Sequence, residues 1–151
     1  PVNMMQANYL YQLFPNAKFI NMIRDGRDVA FSVSKESWGP NDPHEGLDWW
    51  ANRIEKAHKA LLKVKPEDQM QMRLEDLIIN KRQEEYQRLL SFLKIDDHDQ
   101  TLEYFETNML PEKMSQGDWK QQVVDPDLYN REYDKILKGL KSKGIEIAKF
   151  Y

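Results

Sequence analysis

The 151-residue chain has the composition of a folded globular domain, with 40% apolar and 31% charged residues. No apolar run approaches the roughly 18 residues that a membrane span needs, and the N-terminus lacks the layout of a signal peptide. We therefore expect no membrane contact and a cytoplasmic location. The net charge of −3 argues against a nucleic-acid partner. Cysteine is absent, which excludes disulfides, and the three histidines are too scattered to predict a metal site.

The spacing of the apolar residues predicts helices that alternate with short strands. The predicted elements are, in chain order, helix 3–14, strand 18–23, helix 29–35, loop 36–46, helix 47–64, strand 69–73, helical stretches 74–77 and 84–93, helix 101–109, loop 111–120 and helix 127–141. Asn3 is the predicted N-cap of the first helix, whose apolar members include Leu13 and Phe14. Either Asp125 or Asp127 is the predicted cap of the last helix.

This alternation favours an α/β fold in which helices flank a parallel sheet, organised as a single domain over residues 1–151. Only two strands are visible, which is fewer than a sheet covered on both faces usually has. Either further strands within the chain lack a clear signal, or residues outside this sequence complete the sheet. We favour the second interpretation, in which the domain is incomplete here and its helix-rich C-terminal part is what we see.

The segment 24–32, with the sequence RDGRDVAFS, is a candidate anion site. An apolar strand delivers Arg24 to the carboxyl end of the sheet, and the N-terminal amides of the next helix face the same crevice. The Arg24 guanidinium can grip a phosphate through two hydrogen bonds, and the Ser32 hydroxyl can donate to the same anion. The alternative is that Arg24 pairs with Asp25 or Asp28 while Ser32 only packs. These residues alone leave both interpretations open.

The longer stretch LFPNAKFINMIRDGRDVAFSV resembles the 3′-phosphate motif of sulfotransferases that use 3′-phosphoadenosine 5′-phosphosulfate (PAPS) as the sulfate donor. In that family an arginine ends the strand and a serine follows eight positions later. The resemblance implies that Arg24 and Ser32 bind the 3′-phosphate of the donor. Residues 73–77, RLEDL, resemble the R-Y-E-D-L segment of the family. Leu74 replaces the tyrosine that contacts the nucleotide, so that role is not transferred.

Residues 113–120, KMSQGDWK, resemble the R-K-G-x-x-G-D-W-K loop that closes over the 3′-phosphate in the cytosolic branch of the family. Lys113 matches the lysine of that loop and is a further candidate for nucleotide binding. Glu112 and Met114 replace the arginine and the first glycine, so we expect a weaker clamp than usual. The alternative is an ordinary surface loop anchored by Trp119.

The resemblance implies a P-loop NTPase-like parallel sheet, no metal, and transfer of a sulfuryl group to a hydroxyl or amine. The acceptor is a small molecule, a glycan or a protein. The family begins with a P-K-S-G-T type loop that cradles the 5′-phosphosulfate, and no such loop is present in this sequence. We therefore expect an N-terminally truncated domain that is inactive alone, with its catalytic base upstream of the first residue.

Two alternatives remain at this point. The first is a non-catalytic, sulfotransferase-like protein that binds a nucleotide or a partner without performing chemistry. The second is a nucleotide kinase, which would need a G-x-x-x-x-G-K-[ST] loop and carboxylates for magnesium. Neither feature of a kinase is seen in the sequence.

Overall fold

A computed structural model describes residues 2–147 of the chain. The helices are α1 (Val2–Met5), α2 (Ala7–Leu13), α3 (Gly26–Val33), α4 (Pro43–Leu61), α5 (Arg82–Leu93), α6 (Asp99–Asn108), α7 (Trp119–Gln122) and α8 (Pro126–Ser142), and the strands are β1 (Phe19–Ile23) and β2 (Gln69–Arg73). Short 3₁₀ turns lie at Pro66–Asp68 and Pro111–Lys113, and one π-helical turn lies at Asp76–Asn80. None of these helices is long and apolar enough to cross a bilayer.

The two strands pair in parallel, in a register that runs from Phe19 opposite Gln69 to Ile23 opposite Arg73. Helices α3 and α4 form the connection between them and pack against each other. The predicted α/β fold is therefore confirmed, and the second strand has the predicted bounds. Because the strands are parallel, their carboxyl ends meet at one edge of the sheet. At this edge the chain passes from β1 into α3, and we call residues 24–28, which include the start of α3, the β1–α3 turn.

Helices α3 and α4 begin three and four residues earlier than the sequence predicted. The Asp25 side chain accepts a hydrogen bond from the Arg27 backbone N–H at 2.9 Å, and this cap starts α3 at Gly26. The Asp42 side chain accepts from the Glu45 backbone N–H at 2.9 Å, so α4 starts inside the predicted loop. In both cases an N-capping aspartate outweighs the turn-forming composition of the sequence around it.

The N-terminal prediction is wrong in two respects. Residues 3–14 form two short helices separated by Gln6, and Asn3 lies within α1 and is not its N-cap. Leu13 and Phe14 are 72% and 61% exposed. The physical reason is that α2 packs against α4 through the small side chain of Ala7, which leaves the end of the helix beyond the contact.

The last helix supplies one wall of the main core. Asp125 caps α8 by accepting from the Leu128 backbone N–H at 2.9 Å, which decides between the two predicted caps. Tyr129 and Tyr133, one helical turn apart, lie on its buried face. They pack in a cluster with side chains from β1, α3, α4 and α7, namely Ile23, Ala30, Phe31, Leu47, Trp50 and Trp119. The β1–α3 turn therefore rests on α8.

Candidate functional site

Arg24 directly follows β1 and lies at the carboxyl edge of the sheet. Its Nη2 donates a hydrogen bond to the backbone carbonyl of Ser115, in the segment that the sequence predicted to be a loop. Its Nε is buried and has no hydrogen-bond partner among the described residues. Within residues 2–147, neither Asp25 nor Asp28 forms an ion pair with Arg24. The ion pair with Asp25 or Asp28 that the sequence left open is therefore not what holds Arg24.

Asp25 pairs with Arg27 instead. The Arg27 Nε and Nη2 donate to the two carboxylate oxygens of Asp25 at 3.0 and 2.6 Å, and Nη1 donates to the side chain of Asn130 on α8. The guanidinium also lies between the rings of Trp119 and Tyr133, 4.7 and 4.8 Å from their centroids. Arg27 thus joins the β1–α3 turn to both α7 and α8.

Asp28 contacts a segment far along the chain. Its Oδ1 accepts a hydrogen bond from the Gly117 backbone N–H at 2.7 Å, and the side chain is almost fully buried. Burial raises the pKa of Asp28, whereas the Gly117 N–H and the positive charges of Arg24 and Arg27 lower it. Asp28 and Arg24 together hold residues 115–117 against the turn.

Glu75 connects the ends of the two strands. Its Oε1 accepts from the Asp25 backbone N–H at 2.9 Å, and the residue is only 2% exposed. The other carboxylate oxygen, Oε2, is buried and has no hydrogen-bond partner within residues 2–147. Burial raises the pKa of Glu75, because the charged form loses its hydration. Glu75 therefore fixes the peptide that immediately follows Arg24.

The N-terminal amides of α3 are engaged by the protein itself. The Gly26 N–H donates to the Tyr133 hydroxyl at 3.4 Å, and the Arg27 N–H donates to Asp25. A Cβ atom at position 26 would lie 2.7 Å from the rings of Trp50 and Tyr133, so only glycine fits there. The expectation that this helix start offers open amides to an anion is wrong for these two groups. An anion at this edge would depend on side chains.

Ser32 lies on the last turn of α3, four residues after Asp28 and therefore on the same helix face. The residue is exposed, and its hydroxyl makes no hydrogen bond within the described residues. The segment 115–122 follows this face, because Gly117 contacts Asp28 and the Gln122 side chain accepts from Lys35 at 3.3 Å. The segment thus contacts Arg24, Asp28 and Lys35, whereas no hydrogen bond joins it to the Ser32 side chain among the described residues.

Lys113 is exposed in the 3₁₀ turn that precedes this segment, and its Nζ donates to the Thr107 carbonyl at 3.3 Å. Across residues 2–147, it forms no hydrogen bond with Arg24 or Ser32. Trp119, by contrast, is buried beneath Arg27 and Tyr129. The GDWK segment is therefore anchored by Trp119, as the alternative interpretation supposed. It is not an ordinary surface loop, because it also contacts the β1–α3 turn.

The contacts of several polar side chains of the site could not be predicted from the local sequence. Asp28 and Glu75 lie in segments that were compared with the family, and Asn130 does not, but the partners of the three lie 89, 50 and 103 positions away. The pair Tyr129 and Tyr133 was detectable as an apolar face of the last helix, and burial raises the pKa of both phenols. Within residues 2–147, no group of three histidine, aspartate or glutamate side chains could hold a metal ion.

Comparison with known proteins decides the family. A sequence profile described as the sulfotransferase family matches residues 1–99, which is more than half of the chain. The chain belongs to the sulfotransferase family. The matched region of the chain includes the β1–α3 turn and Glu75 but stops before the segment 113–120. The resemblance of that last segment therefore rests on its own residues and on its contacts with the turn.

Two relatives extend the comparison. A protein-tyrosine sulfotransferase from Drosophila melanogaster is 26% identical over 111 residues, which cover 70% of this chain and 22% of that protein. The solved sulfotransferase domain from the curacin biosynthetic pathway is similar with a TM-score of 0.64 and 21% identity, over 93% of this chain and 60% of the solved chain. This second likeness shows a shared fold. The chain spans less than two thirds of the length of either relative.

Proposed function

We propose that this protein takes part in the transfer of a sulfuryl group from PAPS to a hydroxyl or amine of an acceptor, and that this chain binds the 3′-phosphate of the donor. Membership of the sulfotransferase family supports the reaction class. The observation that carries the site is the Arg24 guanidinium, which stands at the carboxyl edge of the sheet with a buried Nε that lacks a partner within residues 2–147. A buried donor of this kind suits a phosphate oxygen.

The three proposed nucleotide-binding residues would contribute differently. Arg24 supplies a planar, permanently charged fork at the sheet edge. Ser32 supplies an exposed hydroxyl on the adjacent face of α3. Lys113 is an exposed cation whose ammonium group donates to the Thr107 carbonyl, so its contribution requires the side chain to leave that carbonyl. We therefore rank Arg24 first and Lys113 last in the affinity that each provides.

In this proposal the residues act at a distance from the reacting atoms. The transfer breaks the bond between the sulfur and the bridging oxygen of the phosphosulfate, and forms a bond between the sulfur and the acceptor atom, whose proton passes to a base. Arg24 and Ser32 fix the opposite end of the nucleotide and so orient the sulfur for in-line attack. Their removal should mainly weaken donor binding.

The test compares two nucleotides that differ only in the 3′-phosphate, adenosine 3′,5′-bisphosphate and adenosine 5′-monophosphate. In the Arg24→Ala variant, we expect the affinity for the bisphosphate to fall by about 10- to 100-fold, because charge-assisted hydrogen bonds are lost. The affinity for the monophosphate should change little. Titration calorimetry measures both affinities in the unmodified chain and in the variant.

The matched control is Arg131→Ala, which removes an exposed arginine from α8 and should leave both affinities unchanged. Ser32→Ala should weaken bisphosphate binding less than Arg24→Ala, because one neutral hydrogen bond is lost. Equal bisphosphate affinity in the unmodified chain and in Arg24→Ala would remove Arg24 from the site. A chain that binds the two nucleotides equally well would contradict the 3′-phosphate site as a whole.

A further inference from the structure

The segment 115–119 is held against the β1–α3 turn by three contacts from residues of the turn. Arg24 donates to the Ser115 carbonyl, Asp28 accepts from the Gly117 N–H, and Arg27 stacks on Trp119. The segment is also braced internally, because the Ser115 hydroxyl donates to the Asp118 carboxylate at 2.6 Å. It is therefore docked by the protein's own side chains.

Among these contacts, the one made by Asp28 is the most specific. It is a short, part-buried, charge-assisted hydrogen bond to a backbone amide 89 positions away. Gly117 has a φ of +78°, a conformation that favours glycine and turns its N–H toward α3. Asp28 stands in the first turn of α3, where a carboxylate also stabilises the helix dipole. The contact with Gly117 is additional to that local role.

The charge of Asp28 works against an anion at the same place. Its carboxylate lies close enough to Arg24 and Arg27 for both to influence it, and it also interacts with the carboxylate of Asp25. A phosphate bound by Arg24 would share that environment with Asp28 and would be repelled by it. The buried Asp28 carboxylate is therefore unfavourable for phosphate binding by Arg24. Its hydrogen bond to the Gly117 N–H gives it a role that can offset this repulsion.

We propose that Asp28 is a positioning residue of the nucleotide site: its carboxylate oxygen fixes the Gly117 amide and so holds the segment 115–119 opposite Arg24 before the nucleotide binds. This inference rests on the proposed function, since it assigns Asp28 a role at the same site. Asp28 does not touch the nucleotide. It acts through the segment, whose placement limits where the 3′-phosphate can lie.

Two substitutions at this position separate the hydrogen bond from the charge. Asp28→Asn keeps an oxygen that can accept from the Gly117 N–H and removes the negative charge. Asp28→Ala removes both. In Asp28→Ala we expect affinity for adenosine 3′,5′-bisphosphate to fall by about 10-fold. In Asp28→Asn we expect it to equal or exceed that of the unmodified chain, because repulsion of the phosphate is relieved. Affinity for adenosine 5′-monophosphate should change little in either variant.

Hydrogen exchange of the Gly117 amide, measured without nucleotide, reports on the contact directly. We expect protection in the unmodified chain and in Asp28→Asn, and loss of protection in Asp28→Ala. The matched control is Asp127→Ala, which removes an exposed aspartate from the first turn of α8 and should change neither nucleotide affinity nor Gly117 exchange. Far-UV circular dichroism confirms that each variant is folded, and Asp28→Asn keeps the test decisive should Asp28→Ala unfold.

The two proposals fail in different ways. If the unmodified chain discriminates the two nucleotides but Asp28→Ala binds both as the unmodified chain does, the proposed function stands and the role of Asp28 falls. The positioning role of Asp28 also falls if Asp28→Asn binds the bisphosphate as weakly as Asp28→Ala does. The charge of Asp28, and not its hydrogen bond, would then determine the affinity. If the unmodified chain does not discriminate the nucleotides, both proposals fail, whatever the Gly117 exchange shows.

Discussion

The turn after β1 and the apolar cluster around β2 lie at neighbouring strands of the same sheet, yet they are built from opposite kinds of side chain. The turn buries three charged residues, Asp25, Arg27 and Asp28. The cluster consists of Met72, Leu77, Ile78, Tyr86, Leu90 and Phe105. Apolar burial stabilises a fold in proportion to area, whereas a buried charge destabilises it unless it is paired. The cluster therefore supports the fold, and the turn is where the molecule maintains charged groups in fixed positions.

The largest expected effect comes from breaking the buried ion pair of the turn. Arg27→Met keeps much of the side-chain volume but leaves the Asp25 carboxylate buried without its bidentate partner. We expect the free energy of unfolding to fall by about 3–5 kcal/mol. Urea unfolding followed by circular dichroism measures the loss. The double variant Asp25→Asn/Arg27→Met removes both charges and keeps a capping side chain, so it should be more stable than the single variant. A double variant that is less stable would contradict the comparison.

A smaller effect is expected from trimming the apolar cluster. Ile78→Val removes one methyl group from a buried side chain, which should lower the free energy of unfolding by about 0.5–1.5 kcal/mol. Because no charge is involved, the loss should be the same at pH 5 and pH 8, and nucleotide affinity should not change. Urea unfolding at the two pH values provides the measurement. A pH-dependent loss would show that the cluster is coupled to the charged turn.

The smallest effect is a change in how stability depends on pH. The raised pKa of Glu75 means that its protonated form favours the folded state; this contribution is complete below the pKa of an unfolded glutamate, near 4.3, and is lost as the pH rises through the folded pKa. Glu75→Gln keeps an acceptor for the Asp25 N–H and cannot ionise. The variant should therefore gain stability relative to the unmodified chain as the pH rises from 4 to 7.

Unfolding free energies of both proteins at several pH values test this expectation. The control is Glu103→Gln, which alters an exposed glutamate on α6. Its free energy of unfolding should differ from that of the unmodified chain by the same small amount at every pH. A difference between Glu75→Gln and the unmodified chain that stays flat with pH would mean that Glu75 is charged in both states at no penalty.

Much of the fold could be predicted from the sequence because its signals are local. Strand β2 was predicted with correct bounds, since apolar and polar residues alternate in QMQMR between the turn at Pro66–Asp68 and the helical stretch that follows. Helix starts were misplaced where a single aspartate, such as Asp25 or Asp42, caps the helix. The break at Gln6 was not predicted, because the spacing of the apolar residues does not indicate it. The exposure of Leu13 and Phe14 was not predicted either, because it depends on how α2 packs against α4.

The site was predictable only in part, for a related reason. The eight-residue spacing of Arg24 and Ser32 is a local pattern, and the family match supports the class of enzyme to which they belong. The roles of Asp28, Glu75 and Asn130 depend on partners in other elements, and no local pattern encodes such pairings. Lys113 remains a prediction from the resemblance alone, and its side chain contacts α6 through the Thr107 carbonyl.

The contacts of the β1–α3 turn have a consequence for the order in which the chain folds. They join residues 50 to 107 positions apart, from Asp25 with Glu75 to Gly26 with Tyr133. Closing loops of that length costs conformational entropy before any contact compensates for it, so structure of this kind forms late. Helices such as α4 need no such closure. A nucleotide that binds only the assembled turn therefore selects the fully folded chain, and its binding energy stabilises the whole fold and not one element.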